Sequence, residues 1–142
     1  MLNKDFFRKL SMHMRQEYVK HIFLKGKDVF DRPFKSYTKE YGKMKRANKF
    51  RRQASSFKDK RSPVLTGDFM NDAKPSNTSQ SASIKWTTHG GKVEYLNDMD
   101  RKVTDDKQPL PKKLIRSIQK KVHKEIQKVL PKDKKIKLQI KK

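Results

Sequence analysis

The sequence predicts a small α+β domain: an antiparallel sheet of three or four strands packed against two helices, with a long extended arm or loop. Three observations predict it. Apolar residues recur at 3–4 residue spacing over 4–24 and again between Pro111 and Pro131, the stripe of an amphipathic helix in each case. Apolar and polar residues alternate on both sides of Gly90-Gly91, the pattern of a hairpin. Between the first helix and residue 63 no period is sustained, which predicts a long irregular segment.

Taken in order, the first helix carries Phe6, Phe7, Leu10, Met14, Tyr18 and Ile22 on one stripe. Asn3 suits its N-cap, Asp5 its positive end, and Gly26 its stop. Asp31-Arg32-Pro33 signals a turn. Residues 43–52 form a short helix or a basic stretch that orders on contact. Thr66 is placed to cap a helical turn holding Phe69 and Met70, and Pro/Ser/Asn-rich residues 71–81 read as a loop. Ala82, Ile84 and Trp86 alternate with polar residues, as do Val93 and Tyr95 beyond the glycines, so Ile84, Trp86, Val93 and Tyr95 are expected on one sheet face. Residues 97–107 read as a polar loop. Leu114, Ile115, Ile118, Val122, Ile126 and Val129 stripe the last helix, and Ile136, Leu138 and Ile140 alternate with polar residues as a closing strand. The whole is one domain: helix at 1–24, basic arm or loop at 25–62, hairpin core at 63–107, helix and strand at 108–142.

Charge is segregated. Residues 1–70 hold 19 Lys/Arg against 7 Asp/Glu, residues 110–142 hold 13 against 2, and residues 71–109 hold 6 against 6, within a chain of net charge +23. With 32% apolar residues, against roughly 45–50% (a count that includes Gly) in ordinary globular domains, the core must be small. Self-repulsion on this scale calls for nucleic acid, an acidic surface or neighbouring subunits to offset it. The six cations of 43–52 (Lys43, Lys45, Arg46, Lys49, Arg51 and Arg52) are the candidate contacts for DNA or an acidic partner. No stacking, finger or helix-turn-helix signature accompanies them, so any nucleic-acid contact is expected to be non-specific.

The sequence offers little for catalysis. It has no cysteine, which excludes disulfides and thiolate metal sites and fits a reducing compartment. His13 and His21 lie eight apart without a carboxylate at ligand spacing, and His89 and His123 stand alone, so no metal site is expected. Asp98, Asp100, Asp105 and Asp106 lack the ligand alternation of a calcium loop. Nucleophile-elbow, phosphate-loop and dinucleotide patterns are missing from the sequence, and the reading is of a protein without catalysis or cofactor. No apolar run is long enough to span a membrane, and no secretory signal is expected.

Pro63-Val64-Leu65-Thr66-Gly67-Asp68-Phe69-Met70, followed by Ile84-Lys85-Trp86 and by Gly91-Lys92-Val93-Glu94-Tyr95-Leu96, resembles the virion morphogenesis proteins of tailed phages, the group of tail-completion, neck and head–tail joining proteins. Phe34-Lys35-Ser36-Tyr37-Thr38-Lys39-Glu40-Tyr41 is similar to the segment that precedes that family's basic arm. The likeness covers about residues 28–100 and departs after Leu96. It implies a non-enzymatic virion protein, made in a host cytoplasm, that forms a homo-oligomeric ring in the neck and meets portal, neck or tail proteins and packaged DNA. In such a ring the arm and the 97–107 loop would order on contact, placing Phe30, Phe34, Tyr37, Tyr41, Asp98 and Asp100 at subunit interfaces. The rival reading is a small basic nucleic-acid-binding or ribosome-associated protein.

Overall fold

The computed structural model describes residues 2–65 and 67–130. Helix α1 (Lys4–Val19) begins where Asn3 accepts a hydrogen bond from the Phe6 N–H at 2.8 Å, and Asp5 bridges Arg8 and Lys9 in its first turn. It runs on as one wider turn over Lys20–Leu24, with the Lys25 N–H reaching back to the Lys20 carbonyl, and stops at Gly26, whose φ of 69° suits glycine alone without strain. Of the stripe the spacing predicts, Leu10, Met14, Tyr18 and Ile22 are buried, and Phe6 and Phe7 are half-buried.

Two strands and the last helix pack directly against this helix. Helix α2 (Lys39–Arg46), capped by the Thr38 hydroxyl, is followed by a single tight turn at Ser55–Phe57. Helix α3 (Asp68–Asp72) holds Phe69 and Met70 and leads directly into strand β1 (Ala73–Asn77). Strand β2 (Ala82–Trp86) pairs with β1 antiparallel, Ala73 opposite Trp86 and Asn77 opposite Ala82. Helix α4 (Gly91–Asp98) follows, and helix α5 (Lys112–Val129) lies antiparallel to α1, where His13 Nε2 and Ser117 Oγ meet at 3.2 Å. The core gathers Tyr18, Ile22, Phe23, Val29, Phe34, Phe57, Val64, Phe69, Val103 and Leu114. The architecture is therefore a small α+β fold, with five helices and a two-stranded sheet among the described residues.

Three expectations are corrected. The hairpin is not closed by Gly90-Gly91. β2 pairs backward with residues 73–77, which composition had marked as loop, and the turn is Thr78–Ser81, where the Thr78 N–H reaches the Ser81 carbonyl. Residues 91–98 are helical rather than extended. Val93 and Leu96, three apart, pack on the core while Tyr95 turns outward, so Val93 and Tyr95 do not share a face. In so short a window alternation and helical spacing are hard to separate, and a tertiary contact decides. The Asp72 carboxylate accepts the Thr88 and His89 N–H groups, both at 2.9 Å, and the Thr87 hydroxyl at 2.7 Å. That fixes the chain just before α4 and turns it away from a returning strand. The described residues hold two strands, and the closing strand that counts toward the expected three or four falls at 135–142. The Thr66 cap, the Pro131 stop and the 135–142 strand lie outside the described residues.

The third correction is partial: of the arm or loop expected over residues 25–62 the chain takes the loop, and these residues pack on their own body rather than on another molecule. They do not extend from the body. Val29, Phe34 and Phe57 enter the core, and the 27–33 turn is pinned by Asp28, whose carboxylate accepts the Phe30 and Arg32 N–H groups and pairs with the Arg32 guanidinium at 2.8 Å. Burying three apolar side chains (roughly 1.5–3 kcal/mol each) favours folding back over a free arm.

Candidate functional site

An open, mainly apolar groove of about 590 Å³ runs between the 35–41 segment, the 63–70 segment and α4. Tyr37, Tyr41, Val64, Leu65, Phe69, Met70, Tyr95, Leu96 and Met99 supply its walls, and Lys35, Lys92 and Arg101 its cations. The positive φ of Gly67 (90°) turns the chain between Leu65 and α3, which brings Phe69 and Met70 to the same wall as Val64. Opposite, α4 presents Tyr95, 64% exposed, and the half-exposed Met99 caps its end.

The end of α4 sets the groove's floor. Asp100 adopts a left-handed conformation (φ 56°) and the Arg101 N–H returns to the Leu96 carbonyl at 2.8 Å, a helix stop that swings Arg101 inward. The buried Arg101 guanidinium donates to the Arg61 and Lys35 carbonyls and stacks 4.1 Å from the Tyr37 ring. Lys45 reaches the same ring, with Nζ 4.8 Å from its centroid, and donates to the Lys60 and Ser62 carbonyls at 2.7 and 3.2 Å. Two interior cations thus tie α2, the 58–62 segment and the end of α4 together through backbone oxygens and the Tyr37 side chain. Burial, and secondarily the charge of Arg101, push the Lys45 ammonium down to about 8. Burial pushes the Tyr37 phenol up to about 12 and raises that of Tyr41.

The residues singled out in the sequence are dispersed. Phe34 is consumed by the protein's own core, so it offers no surface to a neighbour. Phe30 is exposed beneath the Arg32 guanidinium. Tyr37 and Tyr41, with ring centroids 4.6 Å apart, are half-buried in the groove wall. Asp98 is exposed on α4. Asp100 pairs with Lys35 at 2.7 Å, which holds its carboxyl below the usual range. Of the basic cluster, Lys43, Arg46, Lys49, Arg51 and Arg52 are exposed, with Arg52 3.8 Å from Asp68, but Lys45 is only 1% exposed and presents nothing to DNA. Tyr95, Met99 and Arg101 were not singled out. The strand reading placed Tyr95 inward, and nothing in a polar 97–107 stretch marks Arg101 as interior. Among the described residues no three His, Cys, Asp or Glu side chains are grouped to hold a metal, and no helix is long and apolar enough to cross a membrane.

No family model, curated protein or solved structure matches this chain. The groove and the charge distribution therefore carry the functional argument.

Proposed function

We propose that this chain is a non-enzymatic structural subunit of a tailed-phage virion, assembled as a homo-oligomeric ring in the neck that joins portal and head to tail. One observation carries the reading. Two of the separated segments that bear the resemblance, 63–70 and 91–96, converge to line a single groove open to solvent, with Val64, Leu65, Phe69 and Met70 on one wall and Lys92, Tyr95 and Leu96 on the other. Apolar walls of this size with a cationic rim are the kind of surface that another chain covers. A closed ring needs two different faces on each subunit, and α5 supplies a second apolar surface, where Ile118, Val122 and Ile126 are half-buried and Val129 is 49% exposed. The rival reading, a basic nucleic-acid-binding protein, draws support from the five exposed cations of 43–52.

Light scattering of the full chain at about 0.5 M salt, where screening reduces charge effects to a few ångströms, separates the two. The ring reading expects association with itself or with portal and tail proteins at that salt. A chain that stays monomeric with all of them, and binds only nucleic acid at low salt, overturns it.

A further inference from the structure

Next to the groove, and sharing Ser36, Tyr37 and Thr38 with it, lies a second, polar notch of about 230 Å³. One wall is a face of α2, with Lys39, Gly42, Lys45 and Arg46 one turn apart. The other is the 58–61 segment, Lys58-Asp59-Lys60-Arg61. Ser36 and Thr38 add hydroxyls at the mouth of α2. Six cations line this notch against the single carboxylate of Asp59, and among the described residues none of the six is in an ion pair.

The walls are held independently of any ligand. Lys45 bonds α2 to the Lys60 and Ser62 carbonyls, and Arg101 bonds the Lys35 and Arg61 carbonyls, so the spacing of the two walls is fixed by buried side chains. The Arg46 guanidinium lies back over Gly42, 3.5 Å from where a Cβ would stand, and so sits on the same face as the rest of the notch's cations. A preformed concavity with a surplus of unpaired cations concentrates anions, and guanidinium and ammonium groups match phosphate oxygens well.

We infer that the notch between α2 and residues 58–61 is a phosphate-binding site, taking the phosphates of a nucleic-acid backbone or of a free polyphosphate. The inference does not rest on the ring assignment. Lys39, Arg46, Lys58, Lys60 and Arg61 supply the contacting charge, and Lys45 and Arg101 act as positioning residues behind them. It differs from attraction to the basic 43–52 stretch as a whole, because Lys43, Lys49, Arg51 and Arg52 do not line the notch.

Titration of the full chain with inorganic tripolyphosphate at about 0.15 M salt, followed by amide chemical shifts, tests this. The expected shifts map to residues 36–46 and 58–61. The paired variant Lys58→Gln, Lys60→Gln removes only exposed side chains and should weaken binding roughly tenfold, while Lys113→Gln, Lys120→Gln on α5, an equal loss of charge, should weaken it less than about twofold. Equal weakening by both pairs, shifts spread along α5, or no saturable binding would each overturn the site. A short oligonucleotide identifies the source. If it is displaced by tripolyphosphate and weakened by the notch pair, the site takes backbone phosphates. If it is indifferent to the notch pair while tripolyphosphate is not, the site takes free polyphosphate.

Discussion

Phe69 and Trp86 lie ring on ring, their centroids 5.4 Å apart and their planes 10° from parallel, and the Trp86 indole N–H donates to the Phe69 carbonyl at 3.2 Å. The pair joins α3 to β2, and Tyr18 and Phe23 of the first helix meet it edge-on. The helix, the groove wall and the hairpin are therefore mechanically one unit. Aromatic pairs of this geometry contribute about 0.5–1.5 kcal/mol beyond the area they bury.

Phe69→Ala should lower the unfolding free energy by about 3–5 kcal/mol, the usual cost of emptying a buried phenyl site. Trp86 is the chain's only tryptophan, so a urea titration followed by its emission reads the change directly. The variant should also shift the native emission to the red. A loss below about 1 kcal/mol would mean that the stack is not part of the core.

The pH profile should carry the mark of Lys45. Its ammonium is held near 8 in the folded chain against an ordinary 10.5. Between those values the unfolded chain binds the extra proton, so stability rises with pH there, by at most about 1.4 kcal/mol per pH unit for one group. Above about pH 10 the sign reverses. Burial raises the Tyr18 and Tyr37 phenols, the folded chain keeps protons that the unfolded chain releases, and stability falls. The melting temperature should therefore climb from about pH 8 and decline beyond about pH 10. Lys45→Met should lose the climb and keep the decline, whereas the exposed Lys43→Met should keep both.

Acid should act through Asp72. Hydrogen bonds from the His89 N–H, the Thr87 hydroxyl and the Thr88 N–H hold its carboxyl down to about 2. The stability this contributes is present above the ordinary carboxylate value of 3.8 and is lost as pH falls through about 2. Asp72→Asn places an NH₂ group against backbone N–H donors. It should lower the melting temperature at neutral pH and flatten the part of the acid limb between about pH 4 and 2. Thermal melts from pH 2 to 6 provide the check.

What the sequence could disclose follows from the range of the forces involved. The stripe from Leu10 to Ile22, its Asn3 cap and the stripe opening at Leu114 are local, periodic and long, and all three are legible. The partner of β2 is not, because Ala82–Trp86 fits a strand on either side equally well and the choice depends on Asp72 catching residues 87–89. Lys45 defeats composition for a similar reason. In the chain it is one of six cations in a basic run, yet its ammonium finds two carbonyls and a tyrosine ring from segments 8 to 17 residues away and goes inside. The groove arises where three such segments meet, so no single stretch announces it.

Tyr95 offers a test of the groove that leaves the fold alone. Its ring is 64% exposed on α4 and forms part of the groove wall beside Leu96 and Met99. Tyr95→Glu should change stability by no more than about 0.5 kcal/mol, as is usual for an exposed position. A carboxylate in an apolar wall would, however, have to be desolvated whenever another chain covered it. Under the ring assignment the variant should melt like the parent, keep its phosphate response, and fail to associate in light scattering at about 0.5 M salt. Tyr95→Phe, which retains the apolar ring, should associate normally. If Tyr95→Glu associates as the parent does, the groove is not a subunit interface.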